Sequence, residues 1–390
     1  MLRKQFLVGP LALLAVAALG ASALAAELLA GKEIHIGIGG PLTTPSATFG
    51  IEMRQAVDLA IAEANAKGGI LGAKVVGIAG DDAANNATGE TVAKGFCSDP
   101  AVLGVIGHVN SGVTIDVSTI YAGCGLSMIT PMSSNPAVTD RGLSGIFRLT
   151  NRDDRKGPGL ANYLVTTMKK HRAVVFDDGT PYGTGLADLF SKGFEAKGGV
   201  IVKRQSVKAG ETQFDQLVKS LPPDFDVVVF AGIREGALIL KEMRTQGRNQ
   251  LFACGDGCWD VKGFILASEG AAAKGEGVRV LSAAPALGKV PGSADFAKRY
   301  EAKFGPINNY AANSYDSARV LLAAITAAAK KDHGLPSRAD VLAALKAIKF
   351  QGIAYARPVE WTPNGDNTAA VIFVNIVAGD AFKEIAEIRQ

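Results

Sequence analysis

The stretch GHVNSGVTIDVSTIYAGCGLSMITPMSSNP, which runs from Gly107 to Pro136, decides the fold. It follows one short apolar, β-branched segment, Val102–Ile106, and contains a second, Leu126–Thr130, with a helical segment between them. This order predicts two buried, neighbouring strands of a parallel sheet. Each strand leads into a loop of glycine and small hydroxyl residues, at the edge where open parallel sheets bind their ligands.

The residues of these two loops indicate binding rather than catalysis. The first loop carries Asn110 and Ser111, and the second carries Ser133, Ser134 and Asn135. Backbone N–H groups and hydroxyls at the start of a helix can hold a small anion such as a carboxylate. The alternative for Ser111 and Ser134 is helix capping, which is compatible with anion binding.

Strands and helices alternate from residue 34 to residue 283, which is the βαβ pattern of a doubly wound α/β fold. A repeat supports two similar lobes. Residues 66–69 and 196–199 both read Ala-Lys-Gly-Gly after matching helices, and the glycine pair predicts a left-handed helix stop. The alternative is that this motif is only a common helix terminator.

The last third of the chain differs, because it has three long helical patterns followed by a hairpin. We predict that these helices complete the first lobe and that the hairpin, turning at Gly379-Asp380, completes the second. Three chain crossings would then form a hinge that suits closure around a ligand. The predicted crossings lie near residues 149–152, 282–285 and 356–360, giving a first lobe of residues 27–149 and 284–356 and a second lobe of residues 150–283 and 357–390.

The first 26 residues are typical of a secretory signal peptide. Arg3 and Lys4 precede an apolar stretch, residues 11–19, and Ala23-Leu24-Ala25 fits a cleavage site. An uncleaved anchor is the weaker alternative because the apolar run is short for a membrane span. We therefore expect a periplasmic protein, whose remaining chain of about 365 residues exceeds one core and forms two domains.

The composition excludes several other classes of protein. With 20% charged and 48% hydrophobic residues, the chain is an ordinary globular one. The net charge of +4 comes without a basic cluster interleaved with aromatics, so we expect no nucleic-acid partner. No nucleophile–base pair indicates an enzyme, and His35, His108, His171 and His333 show no metal-ligand spacing. We therefore expect neither catalysis nor a metal or other cofactor.

The four cysteines of the chain favour disulfides in an exported protein. Cys97 and Cys124 lie on either side of a predicted strand, while Cys254 and Cys258 flank a Gly-Asp-Gly turn. We predict that each of these two pairs forms a disulfide. The alternative is four buried free thiols.

Several motifs together resemble one family. In chain order they read IHIGIGGPLTTPSATFG, AVDLAIAEANAKGGILG, DDAANN, VIGHVNSGVT, MITPMSSNPAVTDRG, FRLTNRDDRKGP and DDGTPYGTGLAD. This order is similar to that of the periplasmic branched-chain amino acid binding proteins, the leucine/isoleucine/valine-type substrate-binding components of ABC importers. The resemblance covers nearly the whole mature chain. It implies a type I periplasmic binding fold with two closing lobes, no catalysis, and a monomer that delivers an amino acid to a membrane permease.

The resemblance also implies roles for individual residues. Ser111 would bind the α-carboxylate of the ligand, Ser134 its carboxylate and ammonium, and Asp256 its ammonium, while Tyr182 would close over it. The alternatives are a turn-forming Asp256 and a plain core aromatic at Tyr182. Among the remaining implied site residues, Val109 and Asn110 line the pocket, Met132 and Ser133 contribute backbone groups, and Phe49 contacts the ligand side chain.

The chain departs from the family pattern beside the ligand side chain. It has Ala231-Gly232-Ile233-Arg234-Glu235 where family members often have Gly-Gly-Tyr-Tyr-Pro, and Ala312 aligns with a bulky apolar wall. We therefore hypothesise a larger or more polar pocket in which Arg234 faces an acidic or hydrogen-bonding group. The alternative is a solvated Arg234.

Two other functions stay open from the sequence. The ligand could be a carboxylate without an α-amino group, although an unpaired, buried Asp256 would disfavour it. The chain could also be a ligand-sensing module that docks on a receptor, because fold alone does not decide function.

Overall fold

The computed structural model describes residues 28–44 and 47–388. The predicted signal peptide and its cleavage site lie outside these residues. The described chain forms two β-sheets with helices packed on them, which confirms the predicted α/β class. None of the helices within the described ranges is long and apolar enough to cross a membrane.

The first sheet contains five parallel strands in the order β2-β1-β3-β4-β5. The strands are β1 (Glu33–Gly40), β2 (Lys74–Asp81), β3 (Val102–Gly107), β4 (Met128–Thr130) and β5 (Ile146–Arg148). The helices that alternate with them are α1 (Ala47–Ala66), α2 (Asn86–Ser98), α3 (Ser111–Cys124) and α4 (Ala137–Asp140). β3 is buried at every position, as a central parallel strand requires.

The second sheet contains seven strands in the order β12-β11-β10-β9-β8-β6-β7. Five are parallel: β6 (Arg172–Asp177), β7 (Val200–Ser206), β8 (Val227–Ala231), β9 (Leu251–Cys254) and β10 (Val278–Ser282). The antiparallel hairpin of β11 (Ile372–Ala378) and β12 (Ala381–Ile388) extends it and turns at the predicted Gly379-Asp380. The preceding helices are α5 (Asp153–Asn162), α6 (Pro181–Glu195), α7 (Asp215–Lys219) and α8 (Glu235–Thr245).

Three helices that follow the second sheet's β10 pack back onto the first sheet. They are α9 (Ser293–Phe304), α10 (Ala311–Asp332) and α11 (Arg338–Lys346). Helix α10 contacts α1 and β3, α9 contacts α1, and α11 contacts α10 and β3. The chain therefore leaves the first sheet, builds most of the second, and returns, as the long helical patterns predict.

The predicted glycine stops are confirmed in both copies of the repeated motif. Gly68 and Gly69 follow α1 with φ of +94° and +70°, and Gly198 follows α6 with φ of +83°. The Gly69 N–H donates to Ala64 O and the Gly199 N–H donates to Phe194 O, each at 2.9 Å. Glycine adopts these left-handed conformations without steric penalty, so it ends both helices.

Helix α5 begins earlier than the sequence predicts. The sequence predicts a helix over residues 159–169, which begins directly after Pro158. In the structure, Pro158 lies inside a helix whose first turn holds Asp153 and Asp154, where carboxylates are favoured. The extra turn brings Lys156 into the molecule's interior.

The third crossing lies later in the chain than the predicted residues 356–360. The Arg148 N–H donates to Gly365 O at 2.9 Å, and the Asn367 N–H donates to Arg148 O at 3.1 Å. The segment that contains Gly365 therefore extends the first sheet beside β5. The crossing lies between Asn367 and Ile372, where β11 begins. The other predicted lobe limits stay predictions.

Both predicted cysteine pairs are confirmed as pairs within disulfide distance. The Cα atoms of Cys97 and Cys124 are 5.9 Å apart, and those of Cys254 and Cys258 are 6.1 Å apart. The first pair joins the C-terminal ends of α2 and α3. The second pair encloses the turn that carries Asp256.

Candidate ligand-binding site

A small cavity lies where the loops at the carboxyl ends of β3, β4, β8 and β9 meet. About 40 Å³ is open to the centre of a water molecule, and one water needs roughly 10–15 Å³ on that measure. The cavity therefore suits a small molecule rather than a polymer. It is lined by Phe49, Val109, Asn110, Ser111, Met132, Ser134, Tyr182, Ile233, Asp256, Gly257 and Tyr310. Of the predicted site residues, all but Ser133 and Arg234 are in this lining.

The hydroxyl end of the cavity consists of the loops after β3 and β4. Helix α3 begins at Ser111, after Asn110 in an extended conformation. Ser111 and Ser134 are only 2% and 1% exposed. The N–H groups and hydroxyls at a helix N-terminus favour an anion. Asn110 Oδ1 is buried without a hydrogen-bond partner among the described residues, so it can accept a hydrogen bond from a ligand.

Ser133 does not line the cavity, so its predicted backbone contribution to the ligand stays a prediction. Its N–H donates to Thr130 Oγ1 at 3.0 Å, and its carbonyl oxygen accepts from Arg148 Nη1 at 3.4 Å. Its hydroxyl lies within 3.0 Å of the backbone oxygens of His108 and Val109, and 2.5 Å from Thr114 Oγ1. Ser133 therefore holds the two loops of the hydroxyl end together.

The charged end of the cavity is built around Asp256, which follows β9 in a short 3₁₀ turn and is 2% exposed. The Tyr182 hydroxyl donates to Asp256 Oδ1 at 2.9 Å, and the Tyr310 hydroxyl donates to Oδ2. Lys156 Nζ lies 2.5 Å from the same Oδ2 atom. The Gly257 N–H donates to Tyr182 Oη at 3.0 Å and fixes the ring. Asp256 is thus hydrogen-bonded and paired with a buried lysine.

A second carboxylate, Asp153, stands one helical turn before Lys156 on α5. Both side chains are fully buried, and Lys156 Nζ lies 3.4 Å from Asp153 Oδ1. Neither carboxylate oxygen has a hydrogen bond of ordinary geometry among the residues described, although the Ser134 hydroxyl is close enough to lower the pKa of Asp153. Loss of hydration raises the pKa of Asp153 to about 6, although the charge of Lys156 opposes the shift.

The two tyrosines of the charged end remain neutral hydrogen-bond donors. Burial, together with the nearby charge of Asp256, raises the pKa of Tyr182 and of Tyr310 well above the ordinary value of 10.0. Two acids and one lysine are therefore the charged groups of this cluster. No group of three or more His, Cys, Asp or Glu side chains that could hold a metal is found within residues 28–44 and 47–388.

An apolar wall joins the two ends of the cavity. Phe49 on α1 meets Tyr310 edge to face, with ring centroids 6.0 Å apart, and Tyr310 meets Trp259 at 5.3 Å. Met132 and Ile233 complete this wall. Such a surface accepts an aliphatic or aromatic group and supplies few polar partners.

Arg234 lies outside the lining of the cavity, unlike most of the predicted site residues. Its side chain is exposed where the chain enters α8, while the preceding Ile233 lines the cavity. Ala312 is buried but is also absent from the lining, and Tyr310 forms that wall instead. The hypothesis of a pocket made polar by Arg234 therefore has no support from this lining and stays a prediction.

The cavity is closed by contacts between elements of the two sheets. The Asn135 side-chain amide donates to Pro181 O, and the Asn309 side-chain amide donates to Trp259 O, each at 2.7 Å. The Asn308 amide also donates to Asp260 Oδ1 at 3.1 Å. These bonds connect the ends of the first sheet's loops with those of the second, so a ligand in the cavity is enclosed from both sides.

Sequence reasoning missed Asp153, Lys156, Ile233 and Tyr310 as residues of the site. Asp153 and Lys156 carried a usable signal, because opposite charges three residues apart share a helix face. Tyr310 also carried one, as an aromatic directly before the longest helix of the described chain. At this position, the sequence indicates the charged residue Arg234 as the site residue rather than its neighbour, Ile233.

Comparison with known proteins agrees with this fold. The sequence profile of the periplasmic binding protein family matches residues 33–381. The "Leu/Ile/Val-binding protein homolog 2" of Brucella abortus is 36% identical over 305 residues, which cover 77% of this chain and 80% of that relative.

Two solved structures share the architecture over 91% of this chain. A branched-chain amino acid transporter substrate-binding protein from Streptococcus pneumoniae, in complex with isoleucine, has a TM-score of 0.81, 23% identity and 100% coverage of its own chain. A solute-binding protein from R. palustris, in complex with benzoate, has a TM-score of 0.80, 17% identity and 96% coverage. These likenesses confirm the type I periplasmic binding fold. With the profile match and the 36% identical relative, they establish that this chain belongs to the periplasmic binding protein family.

Proposed function

We propose that this protein is the solute-binding subunit of an ABC importer, which captures a branched-chain or related aliphatic or polar amino acid and delivers it to a membrane permease. The observation that carries the proposal is a single small cavity with an anion-binding end, an acidic end and an apolar wall between them. Its family and its Leu/Ile/Val-binding relatives support the same function.

The two ends of the cavity have the chemistry that a zwitterion needs. Ser111, Ser134 and the start of α3 offer hydrogen-bond donors to a carboxylate. At the charged end, Asp153 and Asp256 carry two negative charges when both are ionised, and Lys156 carries one positive charge. One negative charge therefore remains for an ammonium. A buried ammonium needs such a partner, because an unpaired charge loses its hydration without compensation.

A carboxylate without an α-amino group is the second candidate ligand. The sequence argument against it depends on an unpaired Asp256, and that premise is wrong because Lys156 lies 2.5 Å from the carboxylate. With Asp256 already paired with Lys156, and with Asp153 protonated, a ligand that brings no ammonium leaves no uncompensated charge at this end of the cavity. The R. palustris relative solved with benzoate has the same fold.

A matched pair of ligands tests the two candidates. L-leucine and 4-methylpentanoate share a carbon skeleton and differ in the α-amino group. We expect the exported chain to bind L-leucine or another amino acid in a calorimetric and thermal-shift screen that also includes benzoate. At about 100 times its dissociation constant, a ligand stabilises the folded state by roughly 2.7 kcal/mol. Binding of 4-methylpentanoate or benzoate without any amino acid would replace the proposal by the second candidate.

Asp256→Asn tests the acidic end of the site. We expect amino acid affinity to fall about 10- to 100-fold, since a hydrogen bond to a charged group contributes about 1.5–3 kcal/mol. Affinity for 4-methylpentanoate should stay the same or rise, because the variant removes a negative charge from the site. The control is Arg234→Ala, which lies outside the cavity and should leave both affinities within about twofold.

We further propose that the chain is exported to the periplasm with loss of residues 1–26 and acts there as a monomer without catalysis or cofactor. N-terminal sequencing of the exported protein checks the cleavage site. Light scattering with and without ligand checks the monomer. Co-purification with a permease, rather than with a receptor, separates the importer subunit from a ligand-sensing module.

A further inference from the structure

A buried lysine stands directly behind the cavity. The side chain of Lys156 has no exposed surface, and its Nζ lies 2.5 Å from Asp256 Oδ2 and 3.4 Å from Asp153 Oδ1. Lys156 and Asp153 belong to α5, whereas Asp256 reaches them from the loop after β9. The cluster has a net charge of −1 with both acids ionised and of zero with one acid protonated. Its protonation therefore decides which ligand charge it can accept.

The other groups around Asp153 add little charge that changes with pH. Arg148 on β5 is buried and bound through Nε to Asp366 Oδ1 at 2.8 Å. Tyr182 on α6 donates to Asp256 and is neutral, and Ser134 after β4 supplies only a hydroxyl. Burial raises the pKa of Asp153 to about 6, which brings the change of its charge close to neutral pH.

We propose that Lys156 is a specificity-determining residue, which cancels the charge of Asp256 so that the ammonium of an amino acid is balanced by Asp153. The inference rests on the proposed function. An ammonium that enters the cluster requires Asp153 as a carboxylate, because the buried cluster would otherwise carry an uncompensated positive charge. A carboxylate ligand without an amino group instead favours the protonated, neutral cluster.

The two ligand classes therefore exchange protons in opposite directions. Before ligand binds, burial raises the pKa of Asp153 to about 6, so the protonated and the ionised forms are both present in mildly acidic solution. An ammonium lowers that pKa, so amino acid binding releases a proton and the affinity falls up to tenfold per pH unit as the pH drops below about 6. A simple carboxylate raises that pKa, so its binding takes up a proton and weakens as the pH rises.

The first test counts protons. L-leucine binding is measured by calorimetry at pH 6 in two buffers with different enthalpies of ionisation, and again at pH 8. We expect proton release at pH 6 and much less at pH 8, because the pKa of Asp153 is raised toward 6. Asp153→Asn should abolish the release. The matched control, Asp154→Asn, removes a partly exposed neighbouring carboxylate that pairs with Arg152 and should keep it.

The second test compares L-leucine with 4-methylpentanoate at pH 7.5. The quantity compared is the affinity for L-leucine divided by the affinity for 4-methylpentanoate. Relative to the wild-type protein, this ratio should fall at least tenfold in Asp153→Asn, which removes a negative charge. It should rise at least tenfold in Lys156→Met, which removes the positive one. If Lys156→Met does not fold, the Asp153→Asn ratio and the proton count of the wild type decide.

The outcomes separate this inference from the proposed function. Proton uptake with 4-methylpentanoate, together with no binding of any amino acid, would overturn the amino acid assignment and retain Lys156 as the residue that sets the charge of the site. Proton exchange with neither ligand would overturn the role of Lys156. Affinity ratios that do not change in the variants would overturn it as well.

Discussion

The hydroxyl end and the charged end of the cavity are built in different ways. At the hydroxyl end, Ser111 and Ser134 come from two successive strand–helix loops, and Ser133 joins these loops by hydrogen bonds to nearby backbone. At the charged end, Asp256 meets Lys156 from 100 residues away and Tyr310 from 54 residues away. The hydroxyl end is therefore specified by local chain geometry. The charged end exists only in the complete fold, where a missing partner leaves a buried charge.

The largest effect should come from removing Lys156. Lys156→Met leaves two buried carboxylates without their base, and breaking a buried ion pair in this way typically costs about 3–5 kcal/mol. We expect a loss of that size in urea unfolding at pH 7.5. The double variant Lys156→Met/Asp256→Asn should recover much of it, because it also removes one of the two stranded charges.

A surface ion pair provides the control for Lys156. Lys170 Nζ lies 2.5 Å from Glu276 Oε2, and the Glu276 side chain is 47% exposed. Lys170→Met should lower the free energy of unfolding by at most about 1 kcal/mol, since solvent screens such pairs. Equal losses in Lys156→Met and Lys170→Met would mean that the charged end is no more sensitive to the loss of a partner than the surface.

The next largest effect should come from Glu52 on α1. Its carboxyl group accepts a hydrogen bond from the backbone N–H of Tyr310 at 3.2 Å. Burial raises the pKa of Glu52 from 4.5 to about 8. The native state therefore holds a proton that the unfolded state gives up. The stability that this proton contributes is complete below about pH 4.5 and is lost as the pH rises through 8.

Glu52→Gln should remove that pH dependence. Between pH 6.5 and 8, we expect the free energy of unfolding of the wild type to fall relative to that of Glu52→Gln, by at most about 1.4 kcal/mol per pH unit. Burial also raises the pKa of Asp153, Asp178 and Asp316 to about 6, so these acids act mainly below this window. Parallel stability curves for the two proteins would contradict the buried proton on Glu52.

This contrast explains which parts of the molecule the sequence predicts. The strands, the glycine stops, the hairpin turn and the positions of Ser111 and Ser134 depend on patterns within a few residues. Such patterns carry information about local structure, because hydrophobic periodicity and glycine conformations are set locally. The cysteine pairs also follow, since each pair brackets a single predicted strand or turn.

The features that the sequence does not predict depend on contacts between distant segments. Lys156 enters the site because α5 starts one turn before Pro158, and the sequence alone does not show which carboxylate it meets. The third crossing moves beyond residue 367 because the buried Arg148 binds Asp366, 218 residues away. Ile233 lines the cavity, whereas the adjacent Arg234 is exposed. The differences at Lys156 and Arg148 each involve a charged side chain whose partner is far away in the sequence.

The smallest effects should divide the hydroxyl end itself into a binding serine and a supporting serine. Ser134 lines the cavity, whereas the hydroxyl of Ser133 is used between the loops. Ser134→Ala should therefore lower L-leucine affinity about tenfold, the effect of losing one hydrogen bond to a carboxylate of roughly 1.5 kcal/mol, with little loss of stability. Ser133→Ala should lower the free energy of unfolding by about 1–2 kcal/mol while the affinity of the folded protein changes less than about threefold.

Calorimetry and urea unfolding of both variants measure the two quantities separately, and each serine serves as the control for the other. The chemical change is identical in the two variants, so a difference between them can come only from position. If Ser133→Ala weakened ligand binding more than Ser134→Ala did, the carboxylate would bind deeper between the loops than the cavity lining indicates. The hydroxyl end would then depend on cooperation between its loops, as the charged end depends on its distant partners.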